Sequence, residues 1–439
     1  MGRERTHPVW RTSGRTSSAL TATARSQEAE CDRGTDAREH RGPCDPVSLI
    51  EVAASDADVV DAVAGAASDF GFFQVINHGI ADELITEMWS QTRGFFAQPT
   101  DVKRALLRSK ENSRGYYDRE LTKRKRDLKE VFDLGHVPFP DMAEDDPRNF
   151  HRVDGQNQWP QLGGFRDTML AWLDACEALS MRLVGIFALA LDEPIESLQR
   201  HFERAEHTSA MRLNHYPLVD VLSDDEAADE TPLGDMALHH HSDAGALTVL
   251  MQDDVGGLQV EVDGEWIDVE PIDGALVINT GDMMQVWSND RFTAALHRVS
   301  PRVASERYSI PYFFNPSYDC DYAPLPGSIA EGDVAHYRAI NWGDFRQGRA
   351  DGDFADYGTE IQISSSRLGL LRSSGSEIGG LDRWVGLDLG GSADRDHPAL
   401  IERIDPIRNA GNEAQVVVDH DHASANGRGH VADLFDHVE

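Results

Sequence analysis

Apolar residues recur at two different spacings along this chain of 439 residues. In the first half they return every three or four positions, which is typical of helices with one buried face. This spacing predicts three amphipathic helices, over residues 57–70, 81–97 and 166–191. A compact apolar run at 72–76 predicts a buried strand between the first two helices. The third and longest helix is expected to be a packing spine.

From residue 210 onward the apolar spacing shortens towards two, which predicts β-strands. One strand begins at residue 210 and ends at Pro217, and seven further short strands follow it. Turns that carry Gly, Asp or Asn separate most of them, and this cadence argues for an antiparallel sandwich or barrel. The seven predicted strands are 247–252, 258–262, 266–269, 275–279, 284–287, 297–300 and 308–314. The fold is thus predicted to be mainly β with flanking helices.

The chain is strongly acidic: 76 acidic residues and 41 basic ones give a net charge of −35. Such a protein should be repelled by nucleic acid and by anionic membranes, so neither is expected as a partner. No apolar run approaches the ~20 residues that a membrane helix needs. The four cysteines show no Cys-x-x-Cys spacing, which fits a reducing environment and predicts a cytoplasmic protein.

A basic cluster lies between residues 119 and 129 of this acidic chain. It could attract an anionic substrate, or it could be a surface whose charges are solvated and paired with acids. The second interpretation is favoured, because most charge clusters on protein surfaces have no further role.

His241 and Asp243 form an H-x-D pair. Residues two apart on a strand point to the same face, so the imidazole and the carboxylate converge. His297 comes from a later predicted strand and can supply a third ligand. Two histidines and one carboxylate leave the opposite face of a metal open, which suits non-haem iron(II) that must bind oxygen and a co-substrate. His239 lies on the same face and is the rival ligand.

Arg307 and Ser309 form a second pair two residues apart, ten residues beyond His297. A guanidinium group binds a carboxylate through two parallel hydrogen bonds, and a neighbouring hydroxyl adds another. The region from His241 to Ser309 therefore predicts a metal site beside an acid-binding site.

In this order and spacing, the two pairs and the distant histidine resemble the motifs of a known enzyme family, the isopenicillin N synthase-like 2-oxoglutarate- and iron(II)-dependent dioxygenases. Two other segments carry the resemblance. The sequence F-G-F-F-Q-V-I-N-H-G-I at 70–80 is similar to the N-terminal signature of that family, and N-H-Y-P at 214–217 is similar to its N-Y-Y-P element. The resemblance covers roughly residues 45–366 and leaves the substrate open.

The resemblance implies a double-stranded β-helix, or jelly roll, in which His241, Asp243 and His297 hold Fe(II). It also implies 2-oxoglutarate as co-substrate and O2 as oxidant, with succinate and CO2 released. The expected reaction is hydroxylation, desaturation or ring closure at a C–H bond of a small organic substrate, carried out by a monomer.

The resemblance further implies that Arg307 and Ser309 bind the far carboxylate of 2-oxoglutarate. Tyr216 is expected to donate a hydrogen bond to that co-substrate, and Asn214 is expected to lie near the metal. Asn214 and Tyr216 share one face of their strand, so His215 between them should face away. Family members carry a segment near the mouth of the active site that corresponds to 115–135, which makes Tyr116 and Tyr117 candidates for substrate contact.

Two alternatives remain open from the sequence. An iron oxidase of the isopenicillin N synthase type would use the same ligands but no 2-oxoglutarate, with the Arg/Ser pair binding the substrate's own carboxylate. A cupin-like binding or storage protein would hold its metal structurally, although structural sites usually fill their coordination shell.

The chain is expected to divide into four regions. Residues 1–44 are rich in Arg, Ser and Thr without apolar periodicity and predict a disordered leader. Residues 45–163 form an N-terminal α/β region, and residues 164–366 form the jelly-roll core with its long packing helix. Residues 367–439 exceed what the family fold needs and predict a flexible acidic tail.

Overall fold

The computed structural model describes residues 48–51, 57–109, 112–122, 125–136, 155–202, 207–301, 305–353, 363–368, 405–408 and 414–417. The chain divides into two units, Met1–Leu371 and Arg372–Glu439. In the second unit, strands β17 (Asp405–Arg408) and β18 (Ala414–Val417) form an antiparallel pair. The predicted leader 1–44 and the rest of the predicted tail beyond Leu368 lie outside the described residues.

The first unit contains eight described helices. They are α1 (Ala57–Asp69), α2 (Asp82–Phe96), α3 (Thr100–Arg104), α4 (Phe165–Ala190), α5 (Glu196–Gln199), α6 (Asp224–Ala228), α7 (Asp282–Trp287) and α8 (Trp342–Asp353). The three helices predicted from the apolar spacing correspond to α1, α2 and α4. Each of them begins and ends within two residues of its predicted bounds. Among the described helices, none is long and apolar enough to cross a membrane.

The strands of the first unit are mostly short. They are β1 (Ser48–Glu51), β2 (Phe72–Ile76), β3 (Gly115–Tyr117), β4 (Leu121–Thr122), β5 (Lys125–Arg126), β6 (Glu130–Gly135), β7 (Ala210–Tyr216), β8 (Leu238–His241), β9 (Leu247–Gln252), β10 (Leu258–Val262), β11 (Glu265–Asp268), β12 (Leu276–Thr280), β13 (His297–Val299), β14 (Arg307–Phe314), β15 (Asp321–Tyr322) and β16 (Ile340–Asn341). The predicted strands are confirmed to within one residue at each end, with one exception at 284–287.

Two sheets face each other and form the predicted jelly roll. The larger sheet has the order β1-β2-β12-β9-β14-β7-β6-β3, and the smaller has the order β11-β10-β13-β8. The larger sheet therefore combines strands from both predicted regions, 45–163 and 164–366. A small apolar cluster that includes Phe72, Leu250 and Val260 lies between the two sheets.

The main core lies on the other face of the larger sheet. Helix α4 buries a stripe that includes Met169, Leu173, Cys176 and Leu183, and it contacts α1, α2 and strands β9 and β14. The predicted role of this helix as a packing spine is confirmed, and the Cys176 thiol is fully buried in it. Helices thus support the larger sheet from behind and leave its front face for the site.

The predicted strand at 284–287 is wrong: these residues are the last four of the six in helix α7. Met283, Met284, Val286 and Trp287 are all buried, and a short run buried on every side has no period that distinguishes a strand from a helix. Helix α7 begins beside the candidate metal ligand, because the backbone N–H of Asp282 donates to the Asp243 carbonyl at 2.7 Å.

The structure explains why the 70–80 signature has a glycine at position 71. Its φ is +65°, and a Cβ atom at this position would meet the Thr293 carbonyl oxygen. His78 fixes the turn at the other end of β2, where its Nδ1 accepts from the Ile80 N–H at 3.1 Å and its Nε2 bonds the Gly274 carbonyl at 3.2 Å. Both ends of β2 are therefore tied to later parts of the chain.

We expect Gly71→Ala to lower the free energy of unfolding more than Gly264→Ala. Both glycines have positive φ, which costs a residue with a side chain roughly 1–2 kcal/mol. Only Gly71 would also force its Cβ against a backbone carbonyl, since the space around Gly264 is open. Denaturant unfolding of both variants measures the difference, and equal losses of stability would contradict the close approach.

Candidate active site

The three predicted iron ligands meet between the two sheets. His241 ends β8 and His297 begins β13, and the two residues are paired across these neighbouring antiparallel strands. Asp243 follows β8 by two residues. Its Oδ1 lies 3.8 Å from Nε2 of His241 and 3.7 Å from Nε2 of His297. One ligand atom from each residue thus lies within 4.8 Å of the other two, as a metal ion requires.

Hydrogen bonds aim the two imidazoles at this centre. Nδ1 of His241 donates to the His239 carbonyl at 2.9 Å, and Nδ1 of His297 donates to the Ala295 carbonyl at 3.2 Å. A ring that carries its proton on Nδ1 presents a lone pair on Nε2, which is the atom that faces Asp243. Burial, together with the neighbouring His297, lowers the pKa of His241 to about 3, so this ring is neutral at physiological pH.

The Asp243 carboxylate is held so that one oxygen remains for a metal. Its Oδ2 accepts from Thr248 Oγ1 at 2.6 Å and from Asn279 Nδ2 at 2.8 Å. Burial alone would raise the pKa of Asp243, but the two histidines and these hydrogen bonds lower it below its ordinary value. The carboxylate is therefore ionised, with Oδ1 directed towards the histidines.

Thr248 and Asn279 were missed by sequence reasoning, because they lie on β9 and β12 and no motif links them to Asp243. We expect Thr248→Val to weaken iron binding by about 10–100-fold, since partners that orient a metal ligand typically have effects of this size. Thr293→Val, at an exposed position, is the control. Iron titration of both variants checks this, and wild-type affinity in Thr248→Val would contradict the orienting role.

Arg307 and Ser309 lie on β14 directly opposite Tyr216 and Asn214 on β7. All four predicted residues line the same cavity as the three candidate iron ligands, and the cavity has a volume of about 790 Å³. The Arg307 guanidinium lies 5.0 Å from the centre of the Tyr216 ring. His215 between them faces away and bonds Glu130 at 2.7 Å, as predicted.

The Arg307 side chain is buried and only partly hydrogen-bonded. Its Nε donates to the Gly256 carbonyl at 2.9 Å and its Nη2 donates to Gln252 Oε1 at 3.2 Å. Its Nη1 has no hydrogen-bond partner, and the described residues place no carboxylate within ion-pair distance of this arginine. A buried cation in a cavity with a spare N–H donor fits the carboxylate of a bound acid.

The remaining sequence predictions have mixed outcomes. His239 is not a ligand of this cluster, because its Nδ1 bonds Asp127 at 2.8 Å and its Nε2 faces Asp235 at 3.3 Å. Tyr117 lines the cavity, whereas Tyr116 is buried in the core and bonds Glu130. Arg212 also lines the cavity, and the alternation that selected Asn214 and Tyr216 could have found it.

The described part of the basic cluster is largely paired with acids, as the favoured interpretation predicted. Arg119 pairs with Glu230 at 2.6 Å, Arg126 with Asp220 at 2.5 Å and Lys125 with Asp235 at 3.6 Å. Lys129 differs from these three, because its side chain lines the cavity.

A second group of possible metal ligands lies behind the larger sheet, where Glu177 of α4 approaches His136 and His207 at 3.6 and 3.5 Å. Nδ1 of His207 accepts from the Ser209 N–H at 3.3 Å, so in the neutral ring the proton is on Nε2, facing Glu177. This nitrogen therefore has no lone pair to offer. None of the three residues lines the 790 Å³ cavity.

Comparison with known proteins agrees with this geometry, and the chain belongs to the 2-oxoglutarate- and iron(II)-dependent oxygenases. The profile of the 2OG-Fe(II) oxygenase superfamily matches residues 207–316. The profile described as non-haem dioxygenase in morphine synthesis N-terminal matches residues 46–162. The protein is thus an oxidoreductase that uses Fe(II) and 2-oxoglutarate, which favours this class over the oxidase and the storage-protein alternatives.

Individual relatives align with about two thirds of the chain. It is 32% identical over 313 residues to the 2-oxoglutarate-Fe(II) type oxidoreductase hxnY of Emericella nidulans, covering 67% of this chain and 84% of that protein. It is 31% identical over 313 residues to feruloyl CoA ortho-hydroxylase 1 of Arabidopsis thaliana, covering 68% and 78% respectively.

Solved structures show the same fold. The crystal structure of JOX2 with 2OG, Fe and JA matches with a TM-score of 0.61 and 25% identity, covering 74% of this chain and 89% of that one. Full-length Neurospora crassa T7H in complex with alpha-KG matches with a TM-score of 0.56 and 26% identity, covering 68% and 94%. The prediction of a double-stranded β-helix is thereby confirmed.

Proposed function

We propose that this protein oxidises a C–H bond of a small organic substrate while 2-oxoglutarate is converted to succinate and CO2. The observation that carries the proposal is one cavity that contains both a His-Asp-His cluster and the buried Arg307 with its spare N–H donor. Hydroxylation is the outcome best supported among relatives, since one of them is named as an ortho-hydroxylase of feruloyl CoA.

In this proposal His241, Asp243 and His297 are the iron ligands. The two histidines offer Nε2 lone pairs, because each donates from Nδ1 to a backbone carbonyl, and Asp243 Oδ1 contributes one negative charge. Iron bound there would supply the activation of O2. Thr248 and Asn279 keep Asp243 Oδ2 occupied, so Asp243 would offer a metal only Oδ1, and three protein ligands would leave positions for co-substrate and oxygen.

The co-substrate end of the cavity is assigned to β7 and β14. Arg307 would pair with the far carboxylate of 2-oxoglutarate through Nη1, and the Ser309 hydroxyl would add a hydrogen bond. Tyr216 and Asn214 would complete this wall from the opposite strand. Apolar side chains such as Phe72 and Leu250 would exclude water; the Phe72 ring contacts the edge of His297 with 5.3 Å between ring centres.

Anaerobic reconstitution of the full chain with Fe(II), followed by parallel measurement of oxygen uptake and succinate release, tests the proposal. We expect succinate only when 2-oxoglutarate is present, at a rate that a true substrate increases. Oxygen uptake with substrate but without 2-oxoglutarate would contradict it and would select the oxidase chemistry instead.

A further inference from the structure

Lys129 is a buried ammonium group on the wall of the active-site cavity. Its side chain is 3% exposed, and it directly precedes β6. It lines the cavity together with His241 of the candidate iron site and Leu238 of the same strand, β8. Arg307 belongs to β14 of the larger sheet, which also contains β6, with β7 between the two strands.

Asp127, which forms an ion pair with Lys129, also accepts hydrogen bonds from two other residues. Asp127 Oδ2 lies 3.3 Å from Lys129 Nζ as an ion pair. The Asp127 carboxylate also accepts from Thr122 Oγ1 at 2.7 Å and from His239 Nδ1 at 2.8 Å. Lys129 Nζ donates no aligned hydrogen bond to any residue in the described part of the chain. The Asp127 carboxylate thus balances the charge of Lys129, and Lys129 also lines the cavity.

Among the described residues, the only carboxylate within ion-pair distance of this largely buried ammonium is one that already accepts from two other donors, so a further acceptor would stabilise it. Lysine is also a compact point charge with three donors, which suits one oxygen anion better than it suits a neutral group. An anionic group of a ligand in the cavity would supply the acceptors that the protein does not.

The composition of the cavity wall agrees with an anionic ligand. Among its described lining residues, seven carry Lys or Arg side chains and three carry carboxylates, in a chain whose net charge is −35. Arg108 and Arg212 pair with Glu120 and Asp133, and the remaining excess of cations would raise the local concentration of anions. The cavity wall therefore carries more basic than acidic side chains, whereas the protein as a whole is acidic.

The same wall has apolar patches between the cations, formed by residues such as Leu121, Leu238, Phe313 and Trp342. Such patches would pack against the hydrocarbon part of a ligand. We propose that the oxidised substrate is an organic acid with an apolar body and that Lys129 binds its carboxylate beside the iron site. This inference rests on the proposed function and names the substrate class.

The test uses the full-length protein loaded anaerobically with Fe(II) and 2-oxoglutarate, so that binding is measured without turnover. The probes are aromatic and aliphatic carboxylic acids, each paired with its own primary amide, titrated by calorimetry. We expect acids to bind the wild type more tightly than their amides. Lys129→Met should reduce that preference by about 10- to 100-fold, the effect of losing a charge-assisted hydrogen bond.

Two further variants separate charge from structure. Lys129→Arg keeps the charge and should retain a preference for acids. Lys125→Met removes an exposed lysine four residues away and should behave like the wild type. Thermal unfolding of each variant shows that it is folded before it is titrated.

Several results would overturn the inference. They are amides that bind the wild type as tightly as acids, an acid preference that survives in Lys129→Met, or a panel in which no acid binds. If Lys129→Met mainly weakens the binding of 2-oxoglutarate, Lys129 belongs to the co-substrate site instead. Succinate release by the wild type is measured alongside: if it depends on 2-oxoglutarate, the proposed function stands whether or not Lys129 selects acids.

Discussion

Asp243→Ala should abolish turnover and weaken iron binding by at least about 100-fold, more than the loss of a residue that only orients a ligand. The substitution removes the single anionic ligand of the cluster. It also leaves the donors of Thr248 and Asn279 without the acceptor that both use. Two buried histidines alone would hold Fe(II) weakly. Iron titration under anaerobic conditions, followed by the succinate assay, measures both losses.

Asp273→Ala is the matched control, because this aspartate is exposed on the turn before β12. It should bind iron and turn over like the wild type. Thermal unfolding of the metal-free forms distinguishes a lost ligand from a damaged fold. If folded Asp243→Ala kept wild-type iron affinity, the ligand set proposed here would be wrong.

Arg307→Ala should raise the concentration of 2-oxoglutarate required for half-maximal succinate release by roughly 10- to 100-fold. A hydrogen bond to a charged group is worth about 1.5–3 kcal/mol, and each 1.4 kcal/mol is a factor of ten. Iron affinity should change far less, because Arg307 lies on β14 and makes no contact among the described residues with the three ligands. Steady-state titration with 2-oxoglutarate provides the measurement.

Arg298→Ala is the comparison for that experiment. Arg298 lies on β13 beside His297, but its side chain stacks on Trp266 at 4.0 Å and bonds Gln259 instead of lining the cavity. This substitution removes the same charge from a strand of the smaller sheet and should leave the 2-oxoglutarate requirement unchanged. An Arg307→Ala variant that titrates like Arg298→Ala would exclude Arg307 from the co-substrate site.

Strand alternation predicted much of this site because it depends only on local backbone geometry. Residues two apart on a strand share a face, so Arg307 with Ser309 and Asn214 with Tyr216 could be paired from the sequence. The same rule paired His241 with Asp243, although Asp243 lies beyond the end of β8 and approaches His241 from the following loop. The cross-strand register that brings Arg307 opposite Tyr216 could not, since it depends on how β14 aligns with β7. The resemblance to a known family supplied that step.

Other features of the site could not be found from the sequence, and the reasons are physical. Thr248 and Asn279 contact Asp243 only after β9 and β12 pair, so nothing local marks them. Lys129 belongs to a basic cluster whose described members all pair with acids, and only its place on the cavity wall distinguishes it from Arg119, Lys125 and Arg126. The strand predicted at 284–287 failed because a segment buried on all sides shows no alternation.

The interleaved order of the larger sheet has a consequence for synthesis in the cell. Strand β2 pairs with β12, and Phe73 faces Ile278, about 200 residues later in the chain. At roughly 5–20 residues per second, a ribosome needs ~10–40 s to make the partner after β2 is complete. During that interval β2 can pair with β1 but its other edge lacks β12, so the nascent chain should depend on chaperones until its second half emerges.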